Sequence, residues 1–150
     1  MDADARYGMS KALCSAAILW CVLIAPAQAQ AITCGQFTAL GPAAGTVKQV
    51  LDAPASEAQV TAYKKVIADH ASGLSFTGFS ARSKALALVR RNGQLTMVMR
   101  ESLAMTRVFC YEKPGSHMRD TAIEQFNYLL DAIAKRMQQG SMISREVLTS

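Results

Sequence analysis

Beyond residue 29 the sequence holds two cysteines, Cys34 and Cys110, and whether they are joined constrains the fold more than any other feature. The residues ahead of them bear on that question. Arg6 and Lys11 lead into an apolar run from Ala12 to Ile24, followed by Ala25-Pro26-Ala27-Gln28-Ala29. A basic start, a short apolar run and a small-x-small site make the pattern of a secretory signal peptide. The run counts 13 residues, short of the ~20 that cross the hydrocarbon of a bilayer. The reading is a signal peptide over 1–29, cleavage before Gln30 and one domain over 30–150 in the periplasm, without stable membrane insertion after cleavage. Met9 is an alternative start, and an uncleaved anchor an alternative fate.

Export removes Cys14 and Cys21 with the leader, and an oxidising compartment favours pairing of the two cysteines that remain. A closed loop of about 77 residues restricts the unfolded chain by roughly 4.5 kcal/mol in the chain-entropy description, against a total stability of ~5 to 15 kcal/mol. The alternatives are two free thiols, or a Cys34 bonded between subunits. Four cysteines in 150 residues are too few to replace a hydrophobic core. With 51% hydrophobic and 18% charged residues, the chain is also excluded from the disordered class.

The clearest element is the last. Ala122, Phe126, Leu129, Leu130, Ile133 and Met137 recur at helical spacing, with Asp120, Glu124, Asn127, Asp131 and Lys135 on the other side. This predicts an amphipathic helix of about twenty residues, opened by Ser116 or by a Thr121-x-x-Glu124 capping box. Lys135 and Arg136 mark its last turn before a stop at Gly140, with a frayed tail from about 141. A second helix is expected after Pro54, capped by Ser56 and Gln59, with Val60, Tyr63, Val66 and Ile67 on one side until Gly73. Thr46 to Asp52 reads as a short helix, and Cys34, Phe37 and Leu40 as one helical turn that buries the first cysteine.

Residues 85–99 carry two readings. Asn92-Gly93 between Ala85–Val89 and Leu95–Met99 fits a two-residue hairpin. The helical reading puts Gly78, Phe79, Ala81, Ala85, Leu86, Leu88 and Val89 on one apolar face. Gly93 then ends that helix, and Leu95, Met99, Leu103, Thr106 and Cys110 follow on the next. Leu, Met and Ala are helix formers, which favours the second reading. The expected fold is all-α, a small bundle of four to five helices stapled by one disulfide.

Enzymatic chemistry finds little support. Past the leader, His70 and His117 lie outside any H-E-x-x-H, C-x-x-C or G-x-S-x-G context, so neither a catalytic residue, a metal site nor a cofactor is expected. His70 reads as a cation complementing a helix C-terminus, and the carboxylates Asp120, Glu124 and Asp131 as a solvated stripe paired with Lys135. Arg82, Arg90, Arg91, Arg100 and Arg107 form the densest basic stretch, read as a solvated helix face. Nucleic acid is disfavoured as a partner because aromatic residues do not interleave with these cations. Met97, Met99, Met105, Met118, Met137 and Met142 are numerous, and flexible Met side chains adapt to varied surfaces.

Thr33-Cys34-Gly35-Gln36-Phe37 near the mature start and Val108-Phe109-Cys110-Tyr111-Glu112-Lys113-Pro114 before the last helix resemble the layout of the HdeA/HdeB family of periplasmic acid-stress chaperones. The resemblance matches Cys34 and Cys110 to the family's disulfide, Phe37 and Phe126 to core positions, and Gly78-Phe79 to a Gly-aromatic helix of relatives. It implies an activity without chemistry: a compact dimer at neutral pH that loosens in acid and exposes apolar surface to unfolding client proteins. From Gln30 onward, 14 Lys and Arg stand against 9 Asp and Glu, a net +5 that becomes +16 once every carboxylate is neutral and both His are charged. Such self-repulsion opposes compaction, and a disulfide limits the opening. Leu95, Met97, Met99 and Leu103 are the expected client-binding residues. The competing expectation is an accessory subunit of a cell-envelope complex that docks on a protein partner through its Arg- and Met-rich middle helices.

Overall fold

The computed structural model describes residues 32–148, without the side chains of residue 77 and of residues 141–148. The leader and cleavage site expected over 1–29 lie outside the described residues. Six helices make up the described chain: α1 (Cys34–Ala39), α2 (Val47–Asp52), α3 (Glu57–Thr77), α4 (Ala81–Arg91), α5 (Leu95–Glu112) and α6 (Met118–Leu148). No strand occurs among the described residues, only an isolated antiparallel bridge between Thr33 and His117. The fold is all-α, with six helices among the described residues where four to five were expected, and the turn expected at Cys34 is a short helix of its own.

Local chemistry sets most of the boundaries. Thr33 caps α1 and Ser56 caps α3, each in a reciprocal box with the Gln three residues on (Gln36 and Gln59). Thr46 caps α2, which ends at Ala53 in the extended conformation that a following proline imposes. α3 runs past Gly73, where a stop was expected, to a left-handed Gly78. A mid-helix Gly costs only about 1 kcal/mol, and Leu74 beyond it packs against the core. α4 starts at Ala81 behind a Ser80 cap, so Gly78 and Phe79 form the turn and not the helical face assigned to them. Asn92-Gly93 joins α4 to α5, with Gly93 at φ 68, and the hairpin reading is excluded.

The last helix departs most from expectation. It spans 31 residues, roughly 46 Å, and continues through Gly140 to Leu148 in place of stopping there. Neither expected cap opens it. The Thr121 hydroxyl donates back to the His117 carbonyl, and the Met118 N–H donates to the Ile32 carbonyl at 3.1 Å. Met118, Ala122, Phe126, Leu130 and Ala134, spaced by four, are all buried, and this ridge is the spine against which α3, α4 and α5 pack. Tyr63 and Ile67 of α3, Ala85, Leu86 and Val89 of α4, and Val98 and Leu103 of α5 complete the core with Phe37.

Cys34 and Cys110 are bonded, with Cα atoms 4.4 Å apart and both residues fully buried. Backbone bonds reinforce the crosslink. Cys34 N–H donates to Ser116 O at 2.7 Å and Gly35 N–H to Pro114 O at 2.8 Å, so the α5–α6 turn satisfies the first donors of α1. Among the described residues no helix is long and apolar enough to cross a membrane.

Replacing both cysteines by Ala should therefore cost about 2 to 5 kcal/mol in urea unfolding at neutral pH. A loss within a few tenths of a kcal/mol would mean that the α1 docking holds without the covalent bond.

Candidate functional site

Apolar residues at four-residue spacing on α5 face the wall of α3, and a groove of about 300 Å³ opens between them. Val60, Tyr63 and Lys64 line it from α3, and Thr96, Met99, Arg100 and Leu103 from α5. The floor is apolar, with Tyr63 and Leu103 almost wholly buried, and Lys64 and Arg100 stand exposed at the rim. Burial pushes the Tyr63 phenol up to about 12, with the neighbouring Ser102 hydroxyl acting the other way. The two hydroxyls lie beside one another without reaching hydrogen-bond geometry, and the raised pKa keeps the phenol neutral, so it adds no charge to the floor.

The structure brings together only part of the expected client-binding set. Met99 and Leu103 line the groove. Leu95 is half-buried against the core, and Met97, 49% exposed, lies outside the lining. Two residues advance a helix by about 200°, which places Met97 on the far side from Leu95 and Met99. The α3 wall was missed as a site, although Val60 and Tyr63 were already legible as one apolar face. Periodicity identifies faces and leaves open which helix each one meets.

The basic stretch is not a single face. Arg82 makes a two-pronged contact with Asp131 of α6, Nε to Oδ1 at 2.7 Å and Nη2 to Oδ2 at 2.9 Å. Asp131 thus pairs with α4 and not with Lys135 as expected. Arg90 Nη1 donates to Ser75 Oγ at 2.8 Å. Arg107 is buried, donates from Nη1 to the Ala53 carbonyl at 2.8 Å, and has its pKa lowered by desolvation. Its place in a solvated face is thereby corrected, because α2 and its following loop cover that side of α5.

His70 is likewise not at a helix end. It lies within α3, its Nε2 is 2.7 Å from Asn127 Oδ1, and its ring meets Phe126 edge-on. His117 is exposed and contributes its backbone to the bridge with Thr33. Among the described residues no three or more His, Cys, Asp or Glu are placed to hold a metal ion.

The Arg82 contact holds the Asp131 carboxyl below the usual carboxylate range, chiefly through the hydrogen bond. A depressed folded-state pKa stabilises the fold above the ordinary value near ~4, and that stabilisation is lost as pH falls through the folded value. Both side chains are about half exposed, 44% and 51%, so the term is under ~1 kcal/mol. Asp131→Asn should lower stability by up to ~1 kcal/mol at neutral pH, and the gap to the parent should close near pH ~2. Urea unfolding at both pH values checks it. Set against protein-family models, curated proteins and solved structures, the chain matches none of them.

Proposed function

We propose that the chain is an exported, non-enzymatic client-binding protein of the HdeA/HdeB type, which loosens in acid and offers its α3–α5 groove to unfolding proteins. The observation that carries the reading is the groove itself: an apolar floor with an adaptable Met99, rimmed by Lys64 and Arg100. Its volume suits a few apolar side chains of an extended segment. Both rim cations keep their charge in acid, which helps a loaded complex stay dispersed.

Acid supplies the trigger in this account. Charge rises from +5 toward +16, and the Arg82–Asp131 contact between α4 and α6 is lost as the carboxylate protonates. The disulfide confines the opening, so the chain loosens without becoming a coil. At neutral pH a second copy laid over the groove would give the compact dimer that the resemblance implies. An envelope-complex subunit is less well supported, because Arg82 and Arg107 are engaged inside the chain.

Light scattering of a model client at pH ~2 to 3 tests the proposal. The protein should suppress aggregation in acid and not at neutral pH, with a parallel rise in binding of a hydrophobic dye. Met99→Glu should weaken protection, and the double Cys34→Ala, Cys110→Ala variant should lose more protection in acid than solubility at neutral pH. Protection and dye binding that stay flat across this range would reject the chaperone reading, and a single partner co-purified at neutral pH would put the subunit reading in its place.

A further inference from the structure

Four of the five phenylalanines of this chain lie at the extremes of exposure, with Phe109 between them at 38%. Phe37 and Phe126 are fully buried, whereas Phe76 and Phe79 are 94% and 91% exposed on either side of the α3–α4 turn. Other exposed apolar residues, such as Leu51 and Met97, stand singly and only about half exposed, at 57% and 49%. Gly78, at φ 59, sets the turn, and a Cβ built on it would meet nothing within 4 Å. The tip therefore projects into open space with two aromatic rings on it.

Cations stand on the elements next to this tip. The Arg90 guanidinium is held at Ser75, the residue before Phe76. Arg82 follows Phe79 by three residues, and Lys84 shares a shallow recess with Ala81, Ala134, Met137 and Gln138. The exposed Lys135 of α6 directly follows Ala134 of that recess. The carboxylates on these stretches are few. Asp131 is taken up by Arg82, and Asp69 lies two helical turns before Phe76, about 10 Å back along α3.

We propose that the α3–α4 turn is an anchor for an anionic lipid surface: Phe76 and Phe79 enter the boundary between headgroups and acyl chains, while Lys84, Arg90 and Lys135 face the headgroup phosphates. Aromatic side chains at an apolar tip with cations beside it match the two layers of such a surface. Each cation near a negatively charged leaflet adds to the attraction, which decays within a Debye length. A second copy is the weaker candidate for this tip, since tip-to-tip contact would bring two like sets of cations together. The anchor is separate from the α3–α5 groove and does not rest on the chaperone reading.

Co-sedimentation of the protein as the cell delivers it tests this. The probes are vesicles of phosphatidylcholine alone and vesicles with about one third phosphatidylglycerol, at low and high salt. Binding to the anionic vesicles is expected, at least about tenfold tighter than to the neutral ones and weakened by salt. Phe76→Ser/Phe79→Ser, in the same processed form and with an unchanged helical circular dichroism spectrum, should weaken it at least about tenfold. Lys84→Glu/Lys135→Glu, which leaves both rings in place, should weaken it severalfold. Failure of the parent to bind, equal binding to both vesicles, or undiminished binding by the serine variant would each overturn the proposal. So would a serine variant that changes from dimer to monomer, because the tip would then be a contact between copies.

Discussion

The bond between Cys34 and Cys110 is the constraint on which the rest of this bundle depends. α1 is only six residues long, far below the length at which a helix holds itself in water. Its capping box and the two N–H bonds to Ser116 and Pro114 satisfy its polar backbone, but they hold only while α1 lies against the α5–α6 turn. The crosslink keeps it there, and with it the fully buried Phe37. Gln59, whose Nε2 donates to the Phe37 carbonyl, then carries this docking over to the start of α3.

The opposite side of the molecule is held differently. α4 joins the spine through Ala85, Leu86 and Val89, and through an exposed Arg82–Asp131 contact that is modest in energy and lost in acid. Rising positive charge therefore acts on a structure that is covalently closed at the α1 end and held by packing at α4. Uneven stability of this kind allows one part of a domain to open while another stays folded.

Much of the architecture could be read from the chain because local signals agreed with global packing. Ser56 with Gln59 and Thr46 ahead of Pro54 are short-range devices, and both appear where the sequence puts them. The Leu, Met and Ala content of 85–99 also pointed to helix over hairpin. What escaped were effects of tertiary context. Gly73 does not end its helix, because a glycine's intrinsic cost is smaller than the gain from continued hydrogen bonding and the packing of Leu74, and α6 likewise runs on through Gly140. His70 finds Asn127, and Asp131 finds Arg82, across 57 and 49 residues, distances over which periodicity is silent. The groove was half visible for the same reason: Met99 and Leu103 were recognised, and their partners on α3 were known only as a face.

Amide hydrogen exchange, compared between neutral pH and pH ~3, tests the central claim most directly. If the crosslinked end restrains acid opening, the amides of Cys34, Gly35 and Met118, which bond to Ser116, Pro114 and Ile32, remain protected in acid. The amides of α4, from Ala85 to Val89, lose protection first once the intrinsic pH dependence of exchange is removed. Loss of protection at Cys34, Gly35 and Met118 together with α4, or ahead of it, would contradict the account.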